Sequence, residues 1–416
     1  MSRLDRRTVF ADTMTAHQSE DLTPDVFMIA GFGNTTVVVT PEGLVVVDVP
    51  AGSSVEMLDT IRQRTDAPIN TIIYTHIHAD HAFTAKTLLE DARTRGHSRP
   101  TIIAQHRSLA HLARYREMQP YNWYINQIQA GRGFVKPTGR EKFLPDDIVY
   151  PDVTYTDSMS FKLGDLTFEL HHYLGETDDG TWVWIPERKI VVVGDLLEGD
   201  CPNIGNPFKV QRFEVEWAEA LEAIASKNPE FLVPGHGPLR LRKKANEWCL
   251  DTAKYLRIFH SEVVRLLNEG YWIEDILHMV QLPEDLSGKR FLSGTYGCSA
   301  FMINGIHRRY AGWFNGNASE LFPSRSADIA TEMMGLTDPG NVLKRALQLK
   351  AEGEVQLALH LVDFVIKGTL LKDQKKTALL LKAELLDARS VSEINQIARN
   401  VMLAGAEEAE QLAKRL

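Results

Sequence analysis

The stretch Tyr74-Thr75-His76-Ile77-His78-Ala79-Asp80-His81 decides how this chain is read. Three imidazoles and one carboxylate fall within six residues, directly after the apolar run Ile72-Ile73-Tyr74. Such a run reads as a buried strand, and a strand that ends in this way delivers its last side chains to one rim of a sheet. His76 and His78 alternate, so they project the same way while the chain is extended. Asp80 and His81 then fall on the turn into the next helix. Neutral imidazoles and carboxylates are the usual ligands of zinc and similar divalent ions. The competing reading is a chance set of surface histidines at a strand end, and the density of ligand-type residues argues against it.

Working outward, three further segments supply partners for a two-metal site. Lys189-Ile190-Val191-Val192-Val193-Gly194-Asp195 has a buried-strand pattern with a carboxylate at its C-terminal end. Phe231-Leu232-Val233-Pro234-Gly235-His236-Gly237-Pro238 has another, delivering an imidazole. Between them lies the carboxylate-rich loop Leu174-Gly175-Glu176-Thr177-Asp178-Asp179-Gly180. In α/β layers function gathers where strands give way to loops, so four strand ends each offer a candidate ligand. His171 and His172 stand close to Glu176 and are rival ligands, although a histidine within a strand is more often a packed or exposed residue.

The His-x-His-x-Asp-His run, Asp195 and the Pro-Gly-His236-Gly-Pro turn together resemble the metallo-β-lactamase superfamily. The chain is most similar to its alkylsulfatase branch, because Glu176 stands where most relatives have histidine and alkylsulfatases have glutamate. Tyr296-Gly297, followed by Arg309-Tyr310-Ala311-Gly312-Trp313-Phe314-Asn315-Gly316-Asn317, resembles the Tyr-x-Gly-Trp-Tyr-Asp-Gly-Asn-Pro signature of the alkylsulfatase dimerisation region. The resemblance implies an α/β fold, an αββα metallo-β-lactamase sandwich followed by an all-α C-terminal dimerisation domain. It places the catalytic domain at residues 1–240 and the helical one at 241–416. His76, His78 and Glu176 would hold one Zn2+, and Asp80, His81 and His236 the other, with Asp195 reaching both. Alkylsulfatases usually bridge with glutamate, so Asp195 is a departure toward the wider superfamily. Histidine at position 78, where redox members of the fold carry glutamate, favours zinc and hydrolysis over iron and oxygen reduction. Mn2+ or Fe would nevertheless accept the same ligands.

Two divalent ions about 3.5–4 Å apart can share a hydroxide and bind an anionic oxygen together. The expected activity is therefore hydrolysis of a small anionic ester, an alkyl sulfate first, by a metal-bound hydroxide that Asp80 helps to orient. A phosphoester, lactone or thioester substrate is the alternative, and a metal-binding scaffold without activity a third reading. Alkylsulfatases grip the sulfate through a Ser-His-Asn-like stretch where this chain has Ala300-Phe301-Met302, which removes two polar contacts. Asn203, Arg212 and Asn304 are candidate replacements, and the planar guanidinium of Arg212 fits an oxyanion well. Tyr121, Trp123 and Tyr124 form an aromatic cluster able either to line a substrate pocket or to pack a loop. The resemblance also implies a homodimer joined through the helical half.

Composition narrows the alternatives. The 416 residues are long enough to bury a large core, and 44% hydrophobic with 24% charged residues is ordinary for a soluble protein. A net charge of −9 argues against a nucleic-acid partner, which needs a basic footprint. Cys201, Cys249 and Cys298 are widely spaced and odd in number, so neither a disulfide framework nor a structural zinc is expected. The charged stretch Met1–Arg7 has no apolar region behind it, and no run approaches the roughly 18 apolar residues a membrane span needs. A cytoplasmic location without membrane contact is the resulting expectation.

Local patterns complete the reading. Asn34–Val39 and Leu44–Asp48 are expected strands about a Pro41-Glu42-Gly43 turn, and Gly164-Asp165 reads as a hairpin turn. Helices are expected at Ser54–Thr65, at His81–Arg95 and around Trp217, Leu221 and Ile224. This ββα then ββα order suits the sandwich. After Arg240 the strand signals stop: Lys244–Asn268 reads as a long helix and Pro323–Ala327 as a linker. Val342, Ala346 and Leu349, then Val355, Leu359, Val362 and Ile366, have the spacing of a helical hairpin like a tetratricopeptide pair.

Overall fold

The computed structural model of the chain describes Arg3 and residues 18–52, 54–281, 286 and 288–416. Apart from Arg3, the charged stretch Met1–Arg7 lies outside the described residues. The backbone forms two compact units. One takes the described parts of Val9–Gln119 with Lys142–Gly312, and the other takes Pro120–Glu141 with Trp313–Leu416.

The larger unit is built on two sheets. The first contains β1 (Ser19–Thr23), β2 (Val26–Ile29), β3 (Thr35–Thr40), β4 (Gly43–Val47), β5 (Ile69–Ile73), β6 (Thr101–Gln105) and β7 (Val153–Tyr155), paired in that order. Pairing is antiparallel up to β4 and parallel from β4 to β7. The second sheet contains β8 (Ser158–Leu163), β9 (Leu166–Tyr173), β10 (Gly180–Ile185), β11 (Ile190–Val192), β12 (Phe231–Val233) and β13 (Arg240–Leu241). Only β11 and β12 pair in parallel within it among the described residues.

Helices α1 (Ser54–Arg64), α2 (Ala79–Ala82), α3 (Ala85–Thr94) and α4 (Ser108–Glu117) belong to the first half of this unit, and α5 (Gln119–Gln129) leads into the other unit. Its second half carries α6 (Glu214–Ser226), α7 (Arg242–Asn268), α8 (Ile273–Met279) and α9 (Ser299–Tyr310).

Strand alternation assigns the layers. In β4, Leu44 and Val46 join the cluster that holds Met57 and Ile61 of α1 and Leu88 of α3. Their neighbours Val45 and Val47 face Phe168, Val183 and Val192 of the second sheet. In β10, Val183 and Ile185 point to this inter-sheet core, whereas Trp182 and Trp184 pack with Trp217 and Leu221 of α6 and Trp248 and Phe259 of α7. Period-two side chains thus separate three apolar layers, which is what an αββα sandwich requires. The expected helix over His81–Arg95 is broken at Phe83–Thr84 into α2 and α3, because Thr84 gives its hydroxyl to the carbonyls of Val49 and Pro50.

The smaller unit contains α10 (Ser326–Leu336), α11 (Pro339–Ala351), α12 (Val355–Gly368), α13 (Lys372–Ser392) and α14 (Gln396–Lys414). Leu343, Ala346 and Leu349 of α11 meet Ala358, Leu359 and Val362 of α12 and Leu381 and Leu385 of α13. Asp338 caps α11 by accepting the Gly340 N–H, with Pro339 at the first helical position. Alanines 406, 409 and 413 let α14 approach Leu379 and Ala383 of α13 closely. The expected linker at Pro323–Ala327 ends earlier than its composition suggests, since α10 begins at Ser326. Tyr121, Trp123 and Tyr124 lie on a helix, α5, instead of a loop. Among the described residues no helix is long and apolar enough to cross a membrane.

Candidate metal centre

Four connections converge at one rim of the sandwich. β5 ends at Ile73, and the chain turns through His76 and His78 before the single turn of α2 presents Asp80 and His81. Glu176 stands between β9 and β10, Asp195 in the 3-10 turn Gly194–Leu196 after β11, and His236 after β12. Gly194 has φ +52, and its missing side chain leaves room for Thr75, whose atoms would lie 2.8–2.9 Å from a Cβ there. Gly235 is required for the same kind of reason: a Cβ at that position would overlap Asp195 Oδ1.

The structure brings these seven residues together in two groups, His76–His78–Glu176–Asp195 and Asp80–His81–His236, each able to hold a metal ion. Asp195 faces both, with Oδ2 at 3.5 Å from His76 Nε2 and Oδ1 at 3.2 and 3.4 Å from the Nε2 atoms of His81 and His236. Glu176 Oε2 lies 3.5 Å from His78 Nδ1 and 4.0 Å from His76 Nε2. Asp80 Oδ2 lies 3.3 Å from His236 Nε2 and 3.9 Å from His81 Nε2. With bonds of about 2.0–2.2 Å, tetrahedral ligand atoms stand roughly 3.3–3.6 Å apart, so most of these separations are edges of such a polyhedron. Glu176 Oε2 and Asp195 Oδ1 are buried without a hydrogen bond of ordinary geometry. Carboxylate oxygens so placed are costly unless a cation completes them, and the donor set therefore fits divalent metal.

The imidazoles are aimed from behind. Asp48, at φ +66 after β4, accepts the Thr75 N–H and hydroxyl at 2.7 Å each and faces His81 Nδ1 at 2.8 Å. That contact assigns the proton of His81 to Nδ1 and leaves Nε2 toward Asp195 and Asp80. Asp179, fully buried, accepts the Ile77 N–H at 3.0 Å and faces His111 Nδ1 at 3.1 Å, which pins the backbone between His76 and His78.

Charges are sorted by position. Burial, helped by the neighbouring His76, pulls His78 down to about 4. Burial also opposes charge on His81 and His236, yet the carboxylates of Asp195 and Asp80 outweigh it and hold both well above the usual histidine range. In return, Asp80 and Asp195 are held well below the usual carboxylate range despite burial.

The other residues singled out from the sequence fall in different places. Arg212 is buried, pairs through Nη1 with Glu176 Oε1, and donates to the Asn203 carbonyl at 2.6 Å. Asn203 is fully buried, with both side-chain polar atoms lacking a protein partner. Tyr121 is 46% exposed and belongs to the smaller unit. Asn304 is exposed on α9 and donates to the Ala300 carbonyl. His171 stacks on Trp182 with ring centroids 4.1 Å apart, and His172 Nδ1 meets the Gly180 carbonyl at 3.0 Å. Cys201 is buried in the core beside Tyr255.

Some residues near the centre carry no pattern that marks them. Burial and the charges of Glu176 and Asp195 push the Glu198 carboxyl well above its usual range. Burial and the Arg212 charge draw the Lys209 ammonium down to about 8. Asp48 did have a legible signal, as a carboxylate closing an apolar strand, but it lies far from the histidine run in sequence.

Comparison with known proteins agrees with this architecture. Residues 28–236, just over half of the chain, match the metallo-beta-lactamase superfamily, and residues 272–411 match alkyl sulfatase dimerisation. A linear primary-alkylsulfatase of a Pseudomonas strain is 26% identical over 353 residues, 79% of this chain and 65% of that protein. An alkyl/aryl-sulfatase of Saccharomyces cerevisiae is 21% identical over 422 residues, 94% of this chain and 63% of that protein. The chain thus spans less than two thirds of these curated relatives. The solved structure of the stereoselective inverting sec-alkylsulfatase Pisa1 from Pseudomonas sp. superposes with a TM-score of 0.82 at 19% identity, covering 98% of this chain and 70% of that one. With that fold and a superfamily match over half its length, the chain belongs to the metallo-β-lactamase superfamily and carries an alkyl sulfatase dimerisation region behind the sandwich.

Proposed function

We propose that this protein hydrolyses alkyl sulfate esters at a centre of two divalent ions, Zn2+ first among them. The observation that carries the reading is Asp195, whose two oxygens face two separate ligand groups on a scaffold shared with alkylsulfatases. His76, His78 and Glu176 would hold one ion and Asp80, His81 and His236 the other, with Asp195 between them. Bound there, such ions lower the pKa of water to near 7 and offset negative charge on an ester oxygen.

The remaining work falls to the chain's own groups. Asp80, kept ionised by His81 and His236, orients the attacking water and accepts its hydrogen bond. Asp48 and Thr75 hold His81 in one tautomer. Arg212 balances the extra charge that Glu176 brings where a histidine would bring none. The unpartnered amide of Asn203 and the free Nε of Arg212 are buried donors suited to a sulfate oxygen. The helical region pairs two copies into a homodimer, for which sedimentation of the full chain is the check.

Phe301 and Met302, which stand where alkylsulfatases have polar sulfate contacts, are the residues that favour the rival substrates, phosphoesters, lactones and thioesters. Met302 is buried in the core with Trp217 and Ile303, so its identity reports packing and leaves the pocket's preference open to the sulfate reading. Inorganic sulfate release from short, medium and branched alkyl sulfates, with Asp80→Ala as control, tests the proposal. Release that the mutation abolishes supports it. Two-metal protein that releases none refutes it and moves the rival esters forward.

A further inference from the structure

The loop after Asp195 leads to a carboxylate with an unusual load. Asp200 is buried and takes four donors from one short segment. Ser293 Oγ and the Gly294 N–H reach Oδ1 at 2.8 and 2.9 Å. Thr295 Oγ1 reaches Oδ2 at 2.7 Å, and the Tyr296 N–H reaches the same oxygen. An ionised carboxylate offers about four acceptor positions, so this one is filled. Residues 293–298 have no helix or strand of their own, and the conformation of the segment therefore depends on these charge-assisted bonds.

A second contact supports the first. A Cβ on Gly297 would overlap the Cys201 carbonyl oxygen and lie 2.8 Å from that of Pro202, so the two backbones touch directly beyond Asp200. The residue delivered by this lacing is Tyr296. The charges of Glu176, Glu198 and Asp80 reach its phenol, which puts that hydroxyl beside the candidate centre.

We propose that Asp200 is a positioning residue, which fixes the 293–296 loop and thereby holds Tyr296 as a hydrogen-bond donor beside the candidate centre. Its effect on turnover rests on the ester-hydrolase reading; its effect on the loop does not. Asp200→Asn puts an amide NH2 where two of the four donors point and removes the charge.

The test uses the full, metal-loaded chain. Amide exchange in a peptide covering Gly294 and Tyr296 should quicken about tenfold or more in Asp200→Asn, with bound metal unchanged. Inhibition by inorganic sulfate and kcat/KM for an alkyl sulfate should both weaken about 10–100-fold, the scale of a small misplacement of a binding group. Tyr296→Phe should lose a similar factor, and the double variant should be no worse than either single one. Unchanged exchange, or losses that multiply in the double variant, would overturn the proposal. Should Asp200→Asn fail to fold, Thr295→Val removes one hydroxyl donor without leaving an unmatched charge, and faster exchange at Tyr296 is again the required result. If the unaltered protein neither binds nor releases sulfate, the ester reading fails, and exchange at 294 and 296 alone decides the role of Asp200.

Discussion

Metal binding at this centre should be strongly proton-linked in the Asp80–His81–His236 half and less so at His78 in the other. His81 and His236 are held well above the usual histidine range in the metal-free protein, so both carry a proton at neutral pH. Either must lose it before its Nε2 can ligate. His78, at about 4, is already neutral and has no proton to give up. Each displaced proton changes the free energy of binding by about 1.36 kcal/mol per pH unit. Two protons therefore make the Asp80–His81–His236 group lose about 2.7 kcal/mol, or about a hundredfold in affinity, for each unit the pH falls below the raised values. Lowering the pH should empty this group first. The sign for the metal-free fold is the opposite. Its raised histidines stabilise it most below their ordinary value of 6.5 and lose that contribution as the pH rises through the raised ones. Calorimetric titration with Zn2+ in buffers of different ionisation enthalpy would count the protons released, and dialysis against a metal buffer from mildly alkaline to mildly acidic pH would give the order of loss. Release of fewer than one proton per chain, or two ions leaving with the same pH slope, would refute the reasoning.

Further predictions follow from single contacts. Asp48→Asn keeps a residue type that tolerates φ +66 but removes the charge behind His81, so metal affinity should drop about 10–100-fold in a chelator competition. Gly235→Ala drives a methyl into Asp195 Oδ1, and bound metal should fall by elemental analysis while far-UV circular dichroism stays unchanged; full loading would contradict the packing. Glu176→Ala should bring the metal content below two per chain, whereas unchanged stoichiometry would point to His171 or His172. Leu385→Ala opens a cavity in the fully buried cluster of α11, α12 and α13 and should cost about 2–5 kcal/mol, read as a lower urea midpoint.

The sandwich was legible because the apolar runs of β4, β11 and β12 and ligand-type residues at strand ends are local signals. The histidine run needs only neighbours in sequence to be recognised, and Glu176, Asp195 and His236 each close an apolar run or a loop of matching character. Arg212 was harder: its type suits a surface, and only the fold shows it buried against Glu176. Lys209 and Glu198 were invisible for the same reason, since their character comes from burial and from neighbours far along the chain. Phe301 and Met302 read as altered substrate contacts, yet Met302 is buried in the core, because helix α9 turns that position inward. The aromatic cluster at Tyr121–Tyr124 lacked clear helical periodicity, so its helix was missed.

The smaller unit is assembled from widely separated stretches of chain, and the Asn400 side-chain amide reaches the buried Gln129 carbonyl across 271 residues. On a ribosome adding about 5–20 residues per second, the 120–141 stretch would wait roughly 15–55 s for that partner to emerge. During this interval its apolar groups Ile125 and Ile128, buried in the finished protein, are open to any passing surface. Production of this protein should therefore respond to translation speed and to chaperones that shield nascent chains, in a way that a sandwich closing on itself would not.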